Sequence, residues 1–446
     1  EKLGSRVRIP PPPPQQTIIF MDTYHIWTIG CQMNKADSER LGSALDQLGL
    51  REVENSEEAD VLVLNSCVVR QSAEDRVVGN LNLAKPIKKQ KPDQILALMG
   101  CMVGPKTDDL QKRFPHVDLF MRPQEYSPLL DLVGKAQGLD WEGCVGSLAP
   151  ITPEVSTYVP IIHGCDLMCT FCIIPYRRGR QISRPVDEVV KEVELLAARG
   201  VREVTVLGQT VDAYGLDLQG EPDLSVLFEA LNDISGLSRI RFLTSHPSFM
   251  SQRIIDSVRD LPKVCEHINL PVQSGDDGVL ERMRRPYSKQ QYRELVYRVR
   301  DSVPGVSITT DLIVGFPGET EAEYENSVDL LRELKFDKVH CAAYSTRPGT
   351  TADRTMDDNV PHEEKKRRLK EVDNLQQNIL KTINASLVGE NVEVMIEGRK
   401  QAKWQSRTRT DKIVFFESDN HQIGDLATVT ISSATAWSLQ GTLNVV

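Results

Sequence analysis

The chain has 446 residues, of which 40% are hydrophobic and 26% charged, a balance that excludes a fibrous or largely disordered protein. Its formal net charge of −10 excludes a generally basic nucleic-acid binder, although a local basic patch remains compatible with it. No apolar run approaches the roughly 18 residues that span a bilayer, and no signal-peptide pattern opens the sequence, so we expect a cytoplasmic protein with no membrane partner.

Residues 1–21 are predicted to form a Pro-rich tail. The five consecutive residues Pro10 to Pro14 favour an extended polyproline II conformation over a packed element. A disordered tail and a Pro-rich segment that binds a partner are the two interpretations, and the first is favoured.

Residues 22–138 alternate short apolar runs with amphipathic helical stretches, which predicts an open, mostly parallel α/β sheet. Cys31, Cys67 and Cys101 each follow one of the first three predicted strands. Ligands gather outside the carboxyl ends of parallel strands, so these thiols could converge on one point. Three buried structural cysteines are the alternative. The predicted strands are Tyr24–Gly30, Val61–Asn65, Ile95–Gly100 and Val117–Met121.

Residues 151–382 repeat the strand–helix pattern after a linker rich in Gly and Pro. Six units predict an incomplete (β/α)6 barrel, whose chemistry would lie at the carboxyl ends of its strands. A charged helix from about residue 363 to 384 closes this region. The predicted barrel strands are Thr157–Ile162, Glu203–Leu207, Ile240–Thr244, His267–Leu270, Ser307–Val314 and Lys338–Ala343.

Cys165, Cys169 and Cys172 follow the first predicted barrel strand with C-x3-C-x2-C spacing. A 4Fe–4S cluster takes four ligands, so three thiolates would leave one iron open to a ligand that is not protein. The spacing differs from the C-x2-C pairs of structural zinc sites, and Phe171 would shield such a cluster. Three thiols clustered by chance are the alternative.

The nine cysteines of the chain are an odd number, which favours a reducing compartment and metal ligation over disulfides. The remaining three match no motif and are interpreted as buried or incidental thiols. They are Cys144, Cys265 and Cys341.

Residues 384–446 consist of short β runs separated by turns, which predicts a small β-barrel of the OB-like size class. The predicted strands are Val392–Ile396, Ile413–Glu417, Ala427–Ser432 and Leu439–Val445. The fourteen residues from 399 to 412 contain six basic side chains and one acid, Asp411. Basic groups beside aromatic rings suit single-stranded RNA, whereas a solvated charged hairpin is the alternative. The residues expected to contact RNA are Arg399, Lys400, Lys403, Trp404, Arg407, Arg409 and Lys412.

The cysteine triplet and the segment up to Arg180 resemble the radical S-adenosylmethionine (radical SAM) enzymes, and among them the methylthiotransferases. Residues 384–446 resemble the TRAM domain, so the likeness extends from about residue 22 to 446. Three sequences, Gly30-Cys31-Gln32-Met33-Asn34, Asn65-Ser66-Cys67 and Gly100-Cys101-Met102, resemble the amino-terminal cluster motifs of that family. Further blocks begin at Leu207, Ser245, Leu270 and Asp311.

Two segments depart from the family pattern. The sequence Thr210-Val211-Asp212-Ala213 stands where the family more often has asparagine, asparagine and serine at the first, third and fourth positions. The segment from Arg407 to Lys412 follows the usual TRAM pattern only loosely. Neither departure removes a cysteine.

The resemblance implies an enzyme with two 4Fe–4S clusters, one on Cys165, Cys169 and Cys172 and the other on Cys31, Cys67 and Cys101. S-adenosylmethionine would be both methyl donor and radical source at the first, and the second would hold the sulfur to be inserted. Adenine carbon 2 carries a C–H bond with no acidic character, so no acid–base residue is proposed as catalytic. The expected cofactor-binding residues are Phe171, Gln209, Ser245, Gln273 and Asp311, each of the last four having an ordinary strand-end cap as its alternative.

Within the family, the residues from Gly30 to Asn34 resemble the branch that modifies N6-isopentenyladenosine at position 37 of the tRNA anticodon loop. The resemblance therefore implies a tRNA anticodon stem-loop as partner, a flavodoxin- or ferredoxin-type electron donor and a monomeric enzyme. The alternatives are a methylthiotransferase for N6-threonylcarbamoyladenosine and a non-catalytic RNA-binding iron–sulfur sensor.

Overall fold

The computed structural model describes residues 21–68, 71–144 and 147–444, and for residues 143 and 144 the backbone alone. Apart from Met21, the Pro-rich tail lies outside the described residues. None of the helices in the described ranges is long and apolar enough to cross a membrane.

The amino-terminal region is a parallel five-stranded sheet flanked by helices, as the sequence predicts. Its strand order is β2-β1-β3-β4-β5, and β3 and β4 are buried along their whole length because helices cover both faces. The elements are β1 (Thr23–Thr28), α1 (Gln32–Gln47), β2 (Arg51–Glu52), β3 (Val61–Ser66), α2 (Gln71–Gln90), β4 (Ile95–Gly100), α3 (Asp108–Arg113), β5 (Leu119–Met121), α4 (Ser127–Gln137) and α5 (Trp141–Cys144).

The central region contains the six parallel strands of an incomplete barrel. The elements are β6 (Ser156–Pro160), β7 (Ile162–His163), α6 (Ile174–Arg178), β8 (Ile182–Ser183), α7 (Val186–Ala198), β9 (Glu203–Leu207), α8 (Leu224–Asn232), β10 (Arg239–Phe242), α9 (Gln252–Asp260), β11 (His267–Asn269), α10 (Asp277–Arg282), α11 (Lys289–Ser302), β12 (Ser307–Val314), α12 (Glu321–Leu334), β13 (Lys338–Ala343), α13 (Thr351–Thr355) and α14 (His362–Ala385).

The barrel is built from two three-stranded parallel sheets, ordered β10-β9-β6 and β11-β12-β13. A parallel bridge between Ile240 and Val264 joins them. Apolar side chains of the strands and the surrounding helices form one continuous core. The six-stranded barrel that the sequence predicts is therefore confirmed.

The carboxyl-terminal region is a closed five-stranded barrel in the order β14-β15-β16-β18-β17. One strand, β15, lies within the basic run, where the sequence analysis predicted no strand. Its side chains alternate between buried and half-buried, with Trp404, Ser406 and Thr408 facing the interior. The elements are β14 (Asn391–Lys400), β15 (Lys403–Thr408), β16 (Ile413–Phe416), β17 (Leu426–Ala434) and β18 (Leu439–Leu443).

The turn between β15 and β16 packs against the amino-terminal ends of the central barrel strands. Arg241, buried on β10, donates hydrogen bonds to the carbonyl oxygens of Thr408 (2.7 Å) and Arg409 (2.8 Å). Arg409 in turn forms an ion pair with Glu266 at 2.7 Å. At the opposite side, α1 packs against β6, so both outer regions are attached to the central barrel.

Candidate active site

Cys31, Cys67 and Cys101 lie at one edge of the amino-terminal sheet, each within three residues of the end of β1, β3 or β4. The last residues of β3 and β4, Ser66 and Gly100, are register partners, so the cysteines that follow them are neighbours. Burial, together with the nearby thiols of Cys67 and Cys31 and opposed in part by Arg178, raises the pKa of Cys101 to about 11. The structure thus brings the amino-terminal trio together.

Two glycines permit this close approach of the cysteine loops. Gly30 has φ +143°, and a Cβ atom there would lie 2.6 Å from the Cβ of Cys67. Gly100 has φ +101°, and a Cβ atom there would lie 2.4 Å from the carbonyl oxygen of Ser66. Any side chain at either position would push the neighbouring loop away from the trio.

A buried polar network holds the trio in place and adds a positive charge. Asn34 donates hydrogen bonds to the carbonyl oxygens of Ile29 (3.1 Å) and Ser66 (2.9 Å). Arg178, on α6 of the central region, donates to Asp37 at 2.9 Å, and both side chains of this ion pair are almost fully buried. Arg178 also lies near Cys101, where its charge would offset that of thiolates.

The second trio lies in the loop after β7. Cys165 Sγ is 3.4 Å from Thr210 Oγ1 and accepts a hydrogen bond from the Leu167 amide at 3.4 Å. Arg285 Nη1 lies 3.6 Å from Cys169 Sγ. Burial raises the pKa of Cys172 to about 12, which keeps the free thiol protonated at neutral pH.

Cysteines of both trios line one chamber of about 520 Å³. Its wall includes five of the six cysteines, Cys67 being the exception. Among the described residues, no three His, Cys, Asp or Glu side chains are grouped to hold a single metal ion. Thiolates that ligate a four-iron cluster surround a larger body than one ion, and buried thiols close to cationic side chains suit that kind of group.

The five residues expected to bind a cofactor all line this chamber. Phe171 packs edge-on against Phe316. Gln273, at φ +69°, donates its backbone N–H to the backbone carbonyl oxygen of Asp311 at 2.8 Å. Asp311 also accepts a hydrogen bond from Asn269 at 3.1 Å. A neighbouring cavity of about 450 Å³ shares part of this wall, and the residues common to both are Phe171, Cys172, Ile174, Gln273, Asp311 and His340.

Two buried polar atoms of the chamber wall, Ser245 Oγ and His246 Nε2, have no hydrogen-bond partner among the described residues. His246 Nδ1 accepts a hydrogen bond from the Ser248 amide at 3.2 Å, which places the ring proton on Nε2. Burial, and then the charge of Arg285, lower the pKa of His246 to about 3, so the ring is neutral. Ser245 and His246 therefore each present an unused hydrogen-bonding group to whatever occupies the chamber.

Sequence reasoning missed several wall residues because they are neighbours only in the folded chain. Arg285 lies more than a hundred residues from the cysteine that it contacts. Asn269 precedes the motif that begins at Leu270, and Thr210 was noted only as a departure. Proximity to a motif is the one signal that could have identified them.

Three parts of the chain match known protein families. The radical SAM superfamily matches residues 159–331, the "Uncharacterized protein family UPF0004" matches 23–122 and the TRAM domain matches 385–443. A protein of Roseiflexus sp. (strain RS-1) named tRNA-2-methylthio-N(6)-dimethylallyladenosine synthase is 47% identical over 94% of this chain and 89% of its own. The chain belongs to the tRNA-2-methylthio-N(6)-dimethylallyladenosine synthase family. The resemblance inferred from the motifs is thereby confirmed.

Other members of this synthase family match along nearly their whole length. The protein of Dehalococcoides mccartyi (strain CBDB1) is 47% identical, with 95% of this chain and 99% of its own covered. The protein of Herpetosiphon aurantiacus is 42% identical, with coverages of 94% and 97%. Both carry the same name as the Roseiflexus protein.

Among solved structures, this chain is similar to the radical S-adenosylmethionine methyltransferase TsrM from Kitasatospora setae, with a TM-score of 0.57. That structure contains tryptophan and a SAM analogue. The match covers 75% of each chain at 15% identity. The cobalamin-dependent radical enzyme OxsB gives a TM-score of 0.51 at 12% identity, with 80% of this chain and 56% of that one covered. At these identities the likeness establishes the fold alone.

Four of the seven residues expected to contact RNA are held by the carbonyl oxygen of Ser418 or by carboxylates of the protein. Trp404 is buried and donates its indole N–H to Ser418 O at 2.9 Å. Arg407 pairs with Glu397 at 2.6 Å, Arg409 with Glu266, and Lys412 with Asp337 at 2.8 Å.

The other three residues lie at the β14–β15 hairpin of the small barrel. Arg399 and Lys400 are exposed at the end of β14. Lys403 is half-buried at the start of β15 and donates a hydrogen bond to Gln440 Oε1 at 2.9 Å. The guanidinium of Arg399 stacks on Trp404 at 4.4 Å from the ring centroid, and Lys400 lies over Phe415 at 5.9 Å. The structure therefore gathers three cations at one hairpin, with the rings of Trp404 and Phe415 beside two of them.

Proposed function

We propose that this chain inserts sulfur and a methyl group at carbon 2 of N6-isopentenyladenosine at position 37 of the tRNA anticodon loop. The observation that carries the proposal is that cysteines from two separate regions face one chamber. The synthase name shared by relatives of up to 47% identity supports the same reaction and substrate.

Cys165, Cys169 and Cys172 would hold one 4Fe–4S cluster, and Cys31, Cys67 and Cys101 the other. When bound with S-adenosylmethionine, the first cluster supplies the one-electron chemistry that an unreactive C–H bond requires. The protein contributes the thiolates, the nearby cations Arg178 and Arg285, and the chamber that cysteines of both trios line.

Phe171, Gln209, Ser245, Gln273 and Asp311 would bind S-adenosylmethionine. The unused hydroxyl of Ser245 and the carboxylate of Asp311 suit the polar groups of the cofactor. Phe171, between the two cavities, offers a ring face to the adenine. We add His246 to this set, because its Nε2–H is a neutral donor on the same wall.

An apolar part of the chamber wall suits the dimethylallyl chain of the substrate. Met33, Leu207 and Leu243 all line the chamber and pack together where α1 meets the barrel. A five-carbon hydrocarbon group gains free energy when it leaves water for such a surface, about 0.8 kcal/mol for each CH2. The carboxylate of threonylcarbamoyladenosine would be desolvated there without a partner, so this wall favours the isopentenyl substrate.

The small carboxyl-terminal barrel would bind the anticodon stem-loop through Arg399, Lys400 and Lys403. Cations close to aromatic rings suit single-stranded RNA, and a loop nucleotide is readily unstacked to enter a chamber. Because Arg407, Arg409 and Lys412 already pair with carboxylates, we assign them to attachment of the domain instead. We further propose a flavodoxin- or ferredoxin-type electron donor, a monomeric enzyme and a cytoplasmic location.

Substitution of Cys67 tests the proposal, with Cys265→Ala as the matched control. Cys265 is equally buried but belongs to neither trio. We expect the unaltered chain and Cys265→Ala to methylthiolate isopentenylated tRNA, measured by mass spectrometry of its nucleosides. Cys67→Ala should still release 5′-deoxyadenosine but form no methylthio product. Full product from Cys67→Ala would refute the role of the amino-terminal trio.

A further inference from the structure

Thr210 is a buried residue of the chamber wall, placed just after β9, and it has no role in the chemistry described above. Its side chain is 3% exposed, and it stands where asparagine is more frequent in the family that the sequence resembles. Its hydroxyl oxygen lies 3.4 Å from the sulfur of Cys165. Within the described ranges, that sulfur is the only hydrogen-bond partner of the hydroxyl.

The direction of this hydrogen bond follows from the state of the sulfur. A cysteine that ligates iron is a thiolate and has no proton, so the hydroxyl of Thr210 must donate. The Leu167 amide donates to the same sulfur at 3.4 Å, and Arg285 lies 3.6 Å from Cys169 Sγ. Three donors therefore lie around this trio. Those of Leu167 and Arg285 are a backbone amide and a charged guanidinium, whereas Thr210 contributes a neutral side-chain hydroxyl.

Hydrogen bonds to ligand sulfurs are one of the factors that set the reduction potential of an iron–sulfur cluster. Adding one electron increases the negative charge on the cluster and its thiolates, so a donated hydrogen bond stabilises the reduced form more than the oxidised form. The electron comes from the external donor protein, and no bond to Thr210 forms or breaks.

We propose that Thr210 is a positioning residue that raises the reduction potential of the cluster held by Cys165, Cys169 and Cys172. The inference rests on the proposed function only in requiring a cluster on this trio. It concerns neither the amino-terminal trio nor the RNA substrate.

Potentiometric titration monitored by electron paramagnetic resonance tests this inference on the full chain prepared without oxygen. The signal to follow is the one that changes when S-adenosylmethionine is added. Thr210→Val removes the hydroxyl at nearly constant volume, and Thr210→Ser keeps it. We expect Thr210→Val to lower the ratio of reduced to oxidised cluster about tenfold at a fixed ambient potential, which is about 59 mV for one electron.

Thr309→Val is the matched control, because Thr309 is 5% exposed, lines the same chamber and bonds to Asn269 instead of to a cysteine. We expect the potentials of Thr309→Val and Thr210→Ser to equal that of the unaltered chain. Thr210→Ala repeats the measurement if Thr210→Val fails to bind iron. An unshifted potential in a variant without the Thr210 hydroxyl, or an equal shift in Thr309→Val, would overturn the inference.

The two hypotheses fail in distinguishable ways. If Thr210 has no influence on the potential, methylthio product still forms in the unaltered chain. If the proposed function is wrong, that product is absent while the potential of a cluster that responds to S-adenosylmethionine can still be measured.

Discussion

Asp212 is a buried carboxyl two residues after Thr210. Both its oxygens accept the amide N–H of His246 at 2.9 Å, and through that amide the carboxyl fixes the loop that carries Ser245 and His246. Burial raises the pKa of Asp212 to about 8, against the lowering effect of these hydrogen bonds. The folded chain therefore holds a proton on Asp212 at pH values where the unfolded chain has released it.

A carboxyl with a raised pKa makes stability fall as pH rises. Between the ordinary value of 3.8 and about 8 the unfolded chain binds fewer protons, so the free energy of unfolding decreases by about 1.4 kcal/mol per pH unit. Asp212→Asn keeps the shape but cannot ionise. We expect its stability relative to the unaltered chain to increase from pH 5 to pH 8, measured by thermal unfolding.

Asp217→Asn is the control for this pH dependence. Despite the effect of burial, hydrogen bonds from Ser183 lower the pKa of Asp217. Asp217 is then ionised above pH 5 in both the folded and the unfolded chain. The difference in the free energy of unfolding between Asp217→Asn and the unaltered chain should therefore be constant from pH 5 to pH 8. Parallel stability curves for Asp212→Asn and the unaltered chain would contradict the assignment.

Leu243→Ala tests the apolar wall of the chamber. Loss of contact with the dimethylallyl chain should weaken binding of an anticodon stem-loop carrying that group by about tenfold, equivalent to about 1.4 kcal/mol. Binding of the same RNA with unmodified adenosine should not change. Leu216→Ala, at an exposed leucine outside the chamber wall, should affect neither RNA. An equal loss for both RNAs would show that Leu243 does not contact the hydrocarbon chain.

At the scale of single residues, the sequence predicted the two cysteine trios but not the side chains that surround them. The thiols occur in short motifs with defined spacing, which is a local signal. Contacts such as Arg178 with Asp37 or Arg285 with Cys169 join positions more than a hundred residues apart. Those pairs depend on how the helices and loops pack, and no periodicity in one sequence encodes them.

At the scale of elements, four strands were predicted with the bounds that the structure has. The bounds of β4, β9, β12 and β13 agree with the predicted ranges at both ends, since turn residues and helical patterns flank these runs. The strand β15 was missed, because its outward positions are mostly basic or polar and conceal the alternation of buried side chains. The basic composition of this segment thus predicted an RNA ligand, but it obscured the strand β15 that carries several of the basic side chains.

The hairpin between β14 and β15 provides a test of RNA contact. Arg399→Ala and Lys400→Ala should each weaken binding of the anticodon stem-loop and each reduce the slope of log affinity against log salt concentration by about one. Fluorescence anisotropy over a series of salt concentrations measures both quantities. Lys89→Ala, at an exposed lysine on α2, is the matched control and should leave the slope unchanged. An unchanged slope in both hairpin variants would place the RNA on another surface.

At the scale of the whole molecule, the two outer regions attach to opposite ends of the central barrel. The amino-terminal sheet brings its cysteines to the carboxyl ends of the barrel strands, where Arg178 links the two regions. The small barrel closes the other end, and its residue Asp411 reaches far enough to line the chamber. The chamber is therefore a product of all three regions, which explains why separate motifs did not reveal its extent.

The central claim is that each cysteine trio holds its own 4Fe–4S cluster in this chamber. Iron and acid-labile sulfide determined on the full chain, prepared without oxygen, test it most directly. We expect about eight irons and eight sulfides per chain, and about four of each after Cys67→Ala. Only four irons in the unaltered chain, or stoichiometric zinc, would contradict the account.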